Sequence, residues 1–270
     1  MSAESAAFSR NGPKPPRHRI AGAFVCVLVI AIAAWILRAH LGWLLVRSPY
    51  VDSTRLVILS EEATDVTKLP SGVTAGTFSV LQAQAKSFDS MAEFALSNAH
   101  ALLNVKGVEN GTHVSVSAVS PLTFRVLGAH PLLGRSFLPD ESRKTALHVL
   151  ILSQELWRSR FAGDPSAIGQ EITLTENGQQ SDYTVVGVMP AGIEFPMPLT
   201  EKPDLWIPLQ QPDGDLMGAA AFGVLARLQT GATLAQAQSD VDAIISALPG
   251  RNAHVKVISL NEAADRARQK

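Results

Sequence analysis

The chain has 270 residues, 46% of them hydrophobic, and a formal net charge of −1. So balanced a charge argues against a nucleic-acid surface or a strongly acidic partner, and no nucleic-acid partner is expected. The single cysteine, Cys26, excludes a disulfide within the chain.

Met1 to Arg19 is rich in Pro, Ser and Ala and shows no hydrophobic period, the composition of a disordered tail. Ile20 to Leu37 (IAGAFVCVLVIAIAAWIL) is uncharged, with Lys14, Arg17 and Arg19 before it and Arg38 behind. As a helix this run spans about 27 Å, close to the hydrocarbon thickness of a bilayer. It is read as one transmembrane helix within an anchor over 20–46, with Trp43 where an interfacial aromatic would sit and the lipid bilayer as its partner. Basic flanks tend to stay cytoplasmic, so the tail is expected in the cytosol and everything after about Val46 outside. A cleaved signal peptide shares the basic start. Against it, the apolar run is longer than usual, and RAHLGWLLVRSPY offers no clean small-x-small cleavage site.

Ser48-Pro49-Tyr50 breaks the helix, and the remaining 220 or so residues suffice for one large domain or two small ones. Leu56 to Leu59 has strand length. From Thr77, the spacing of Phe78, Leu81, Ala85, Phe88, Ala92 and Ala95 predicts an amphipathic helix, unbroken or interrupted near Ser87. Ala101 to Lys106 and His113 to Ser120 flank Glu109-Asn110-Gly111 as a hairpin. Pro121 and Gly128 bracket a short helix. His148 to Leu152 reads as a buried strand, after which Ser153 caps a helix that stops at Gly163. Ile172 to Leu174 and Tyr183 to Met189 flank Glu176-Asn177-Gly178 as a second hairpin, and a proline-punctuated irregular stretch leads to Asp204-Leu205-Trp206. Phe222 to Leu228 alternates as a strand, Thr233 with Gln236 makes a capping box for a helix, and Val255 to Ile258 is a last strand. The whole reads as α+β, a split β-α-β sandwich of ferredoxin-like character into which a second, mixed subdomain is inserted.

Chemistry is sparse. The sequence has no phosphate-binding glycine loop ending in Gly-Lys, no H-E-x-x-H, no C-x-x-C and no G-x-S-x-G. His18, His40, His100, His113, His130, His148 and His254 form no close pair at ligand spacing. Asp140, Glu141 and Asp204 read as caps or solvated surface, and Trp157, Trp206 and Phe137 as core rather than binding aromatics. No catalytic, metal or cofactor-binding residue is assigned, no cofactor is expected, the substrate-binding residues are unknown, and the chain is not read as an enzyme.

A run of motifs in order carries a resemblance: RLVILSE (Arg55 to Glu61), KSFDSMAEF (Lys86 to Phe94), VSAVSPLTFRVLGAHPLLGRSFLPDE (Val116 to Glu141), HVLILSQELWRSRFAGDPSAIGQEITL (His148 to Leu174), YTVVGVMPAGIEFP (Tyr183 to Pro196), PDLWIPL (Pro203 to Leu209) and RLQTGATLAQAQSDVDAI (Arg227 to Ile244). Together they resemble the MacB-like periplasmic core domain of ABC-transporter permeases, most closely that of large orphan permeases in which the domain follows a first transmembrane helix. The resemblance implies a porter-like part at about 50–128 and 215–262, with an inserted subdomain at about 130–210. It also implies a single-pass protein of the bacterial inner membrane, N-terminus cytoplasmic and main domain periplasmic. The implied partners are a separate ABC ATPase, permease-type chains and a second copy in a homodimer. Family permeases continue into three more membrane helices, which this sequence lacks, so the expectation is a fragment or half-component of an export or mechanotransmission permease. The alternative is a stand-alone membrane-anchored binding or sensing protein.

Overall fold

Four consecutive apolar residues, Leu56 to Leu59, are fully buried, so the strand they form, β1 (Leu56–Glu61), is covered on both faces. The structure, a computed structural model, describes residues 50–61, 72–105, 111–193, 202–210, 221–248 and 254–263. The expected anchor and the Asn110 turn lie outside these residues. No helix among the described residues is long and apolar enough to cross a membrane.

β1 is followed by the two-residue β2 (Val73–Thr74) and by α1 (Ala75–Gln84), whose first turn is capped by the Thr74 hydroxyl accepting from Thr77 N. The helix expected to run on through Phe88 and Ala92 ends here: Ala85 is extended, and Asp240 accepts hydrogen bonds from Lys86 N and Ser87 N, both at 2.8 Å. Residues 88–94 are a strand, β3 (Phe88–Phe94), and the apolar spacing that fits a helical period serves two elements instead. The chain returns to this region with β11 (Ala221–Leu228), α4 (Leu234–Ser246) and β12 (Val255–Ser259).

Pairing gives the antiparallel order β3-β11-β1-β12. Two β-α-β units interleaved in this way make the split sandwich expected from the sequence. Val57, Leu59, Val224 and Ala226 pack with Phe78 and Leu81 of α1 and with Val241 and Ile245 of α4 on one face. The capping box of α4 forms as read: Gln236 N donates to the Thr233 hydroxyl, and the Gln236 amide accepts from Thr233 N. Gln238 then ties α4 to β12, donating to Val255 O and accepting from Val257 N, each at 2.8 Å.

Between β3 and β11 the chain builds a second sheet. Its strands are β4 (Ala99–Val105), β5 (Thr112–Val119), β7 (Val149–Ser153), β8 (Glu171–Glu176), β9 (Gln179–Met189) and β10 (Leu205–Pro208), with the short β6 (Leu133–Gly134) beside β9. The order β10-β7-β9-β8-β4-β5 closes on itself, because β10 also pairs with β5 in parallel, Leu205 opposite Val116. The result is a six-stranded ring. Leu103, Val114, Leu150, Ile172, Val185 and Leu205 fill its interior, and Leu156 and Phe161 from and beside α3 (Gln154–Arg160) join the same core. β10, only four residues long, ending in Pro208 and reached through a stretch that reads as irregular in the sequence, is the strand that closes the ring. β4 and β5, drawn with the porter-like part on the sequence, pair within the ring.

Ring and sheet share one further core. Leu56, Ile58 and Leu225 from the open sheet meet Ile151 and Trp206 from the outer wall of the ring, with Phe124 of α2 (Thr123–Leu127) between them. The ring of Trp206 meets that of Phe124 edge-on at 5.5 Å between centroids.

Candidate functional site

Arg227 occupies an inward position on β11, between apolar Ala226 and Leu228, and is buried. A buried guanidinium must find acceptors. It donates from Nε to Val126 O at 2.9 Å, from Nη1 to Asp52 O at 3.2 Å and from Nη2 to Val51 O at 2.9 Å. Burial, then the neighbouring Arg55, draws its pKa below the usual arginine value. Arg55 reaches the other way, donating from Nε and Nη2 to Leu228 O at 2.8 and 2.7 Å. Two guanidinium groups thus fasten residues 51–55 to the central strand of the sheet and, through Val126, to α2. Gly128 completes the junction: it adopts φ +69°, and a Cβ there would stand 2.9 Å from the Val51 Cβ, so its lack of a side chain serves both the turn and the close approach.

A second feature lies at the open edge of the sheet. Beyond β3, pairing to the ring is limited to Phe94 opposite Val119 and its neighbouring backbone bonds, Ala95 N to Ala118 O and Ser120 N to Glu93 O. Where the two sheets part, a cavity of about 940 Å³ opens between α1, Glu93, residues 120–122, residues 139–145 and Leu209. Glu93 is only 4% exposed, and its carboxylate has no hydrogen-bond or ion-pair partner among the described residues. Burial pushes its pKa up to about 7. The Ser142 hydroxyl, on the facing loop, is also buried without a partner among the described residues.

Of the residues singled out on the sequence, Asp140 lines this cavity and the others fall elsewhere. Asp140 pairs with Arg143 at 2.9 Å on the surface, while Glu141 pairs with Arg135 and accepts from Leu138 N, both at 2.7 Å. Asp204 accepts from Ser115 N at 2.9 Å and so holds β10 to β5. Trp206 and Phe137 are core, and Trp157 donates from its indole to Asp164 O at 2.9 Å. His148 stacks on Tyr183. Among the described residues no group of three His, Cys, Asp or Glu is placed to hold a metal. Glu93 and Arg227 are functional candidates that sequence reasoning misses: each is a charge enclosed in an apolar strand, and the helical period over 77–95 conceals this for Glu93.

The sequence profile of the family described as the MacB-like periplasmic core domain matches residues 22–244. The chain belongs to that family. This MacB-like domain has similar folds among solved structures. One is the periplasmic region of MacB from Actinobacillus actinomycetemcomitans, at 12% identity and a TM-score of 0.58, covering 81% of this chain and 94% of that one. Another is a domain of a putative permease protein from Porphyromonas gingivalis, at 13% identity and 0.57, covering 78% and 92%. A third is the extracellular domain of the noncanonic ABC-type transporter YknZ from Gram-positive bacteria, at 14% and 0.52, covering 75% and 99%. No curated protein matches the sequence. The family is a domain of transporter permeases rather than a class of enzymes.

Proposed function

We propose that the chain is the membrane-anchored periplasmic module of an ABC-type export or mechanotransmission permease. In this reading 1–19 lies in the cytoplasm, 20–46 crosses the bacterial inner membrane once, and the folded domain stands in the periplasm. The observation that carries it is the double guanidinium clamp. Residues 51–55 follow the apolar run in sequence, and Arg227 and Arg55 bind them to the sheet and to α2 at separations of 173 to 176 residues. A displacement delivered to residues 51–55, driven by a separate cytoplasmic ATPase, would therefore bear on the central strand of the domain. The family match supports the reading, because it begins at residue 22, inside the apolar run.

Recovery of the full chain from native membranes in mild detergent tests the partnership. The expected companions are an ABC ATPase and permease-type helices, with a second copy of the chain; recovery of the chain alone sinks the transporter reading. A cysteine at exposed Thr230 (T230C) should react with a membrane-impermeant maleimide in intact spheroplasts, and protection there would refute the periplasmic placement. The alternative, a stand-alone anchored binding or sensing protein, draws its support from the Glu93 cavity.

A further inference from the structure

An isolated carboxylate inside a protein is costly unless something compensates its charge. Glu93 has no such partner among the described residues, yet it faces a cavity large enough for a small ligand. The charged groups that line the same space, Asp140, Arg143 and Lys144, all lie on the facing loop. Arg143 is already engaged by Asp140. Neither Arg143 nor Lys144 draws the Glu93 pKa down; burial alone sets its direction. Phe78, Leu122 and Leu209 supply apolar wall, while Gln82 and Ser120 add neutral acceptors to the lining.

We propose that this cavity binds a small organic cation, a primary ammonium group on an apolar stem, with the Glu93 carboxylate as its counter-charge. Three N–H donors match one carboxylate and two neutral acceptors, and the stem lies along the apolar wall. Binding requires the ionised acid, so at neutral pH the site releases the Glu93 proton as the cation enters. The site goes beyond the permease reading, and its test involves no ATPase.

The test is calorimetric titration of the full chain in phosphatidylcholine nanodiscs with n-butylammonium chloride, and with n-butanol as the uncharged stem. Binding of the ammonium should be about tenfold weaker at pH 6 than at pH 8, the ratio of ionised Glu93 at the two values. At pH 7 the apparent heat should vary with the ionisation enthalpy of the buffer, reporting the released proton. E93Q should lose the ammonium binding at both pH values. Equal binding of n-butanol, equal affinity at pH 6 and pH 8, or retention in E93Q would each overturn the proposal. The pH comparison on the unaltered chain decides the matter even if E93Q fails to fold.

Discussion

The ring and the open sheet bury similar strands in opposite ways. The ring turns one set of side chains inward and closes, so no strand of it is left with an unpaired edge, and its polar groups serve to hold strands together, as Asp204 does. The open sheet is covered on both faces but ends at β3, and there it keeps a buried acid beside a cavity. Its central strand carries a buried cation as well, spent on fastening the chain's own incoming segment. Closure leaves a scaffold; the unclosed sheet holds the charges with something to do.

The shared core is what joins the two halves. Trp206 is 1% exposed and belongs to the ring by its strand but to the common layer by its side chain. W206A should destabilise the domain by about 3–5 kcal/mol, with ring and sheet melting in one transition; two separated transitions in calorimetry would show that the halves are independent. W206F should cost far less, since it also removes an indole N–H that has no partner among the described residues.

Loss of the clamp should affect the sheet selectively. R227A takes one donor from each of the carbonyls of Val51, Asp52 and Val126, of which Asp52 keeps the Arg55 N–H, and should cost about 3 kcal/mol in chemical denaturation. Hydrogen exchange should rise in β1 and α2 while β8 and β9 stay protected, and uniform acceleration would contradict the division drawn here. R227K should restore only part of the loss, because an ammonium cannot span the three carbonyls as a planar fork does.

The acid at the sheet edge gives a pH signature. With a folded pKa of about 7 against an ordinary value of 4.5, Glu93 holds its proton more tightly in the native state. Its contribution is fully favourable below pH 4.5 and is lost as pH rises to about 7, above which the penalty is constant. E93Q should therefore match the unaltered domain at pH 4 and exceed its stability by about 3 kcal/mol at pH 8. A constant difference across that range would show that the side chain is not buried as an acid. On the outer surface of the ring, by contrast, the exposed pair Lys202–Glu155 at 2.6 Å should matter little, with K202A changing stability by less than about 1 kcal/mol.

Much of the architecture was legible in the sequence because local chemistry specified it. Asn177-Gly178, both at positive φ, join β8 to β9 as the hairpin signal indicates, and Ser153 caps α3 by accepting from Leu156 N. The helix read over 77–95 failed for a tertiary reason: Asp240, some 150 residues away, caps the backbone after α1 and frees Phe88–Phe94 to pair with β11. The closed ring was equally hidden, since β10 gains its identity from partners on two distant strands and not from its own four residues. Glu93 owes its burial to the pairing of β3 with β11, which no local pattern around it specifies.

The nesting of one sheet inside the other also sets an order of assembly. Ring closure joins Ser115 to Asp204 across 89 residues, whereas the clamp joins Val51 to Arg227 across 176. That doubling of loop length costs only about 0.6 kcal/mol at equilibrium, so its weight falls on timing. A chain emerging from the ribosome can complete the ring once Pro208 is available, while β1, apolar on both faces, waits for β11 and β12. For that interval Leu56 to Leu59 is an unpaired hydrophobic strand, and nascent chains that stall between β10 and β11 should be the species most prone to aggregate.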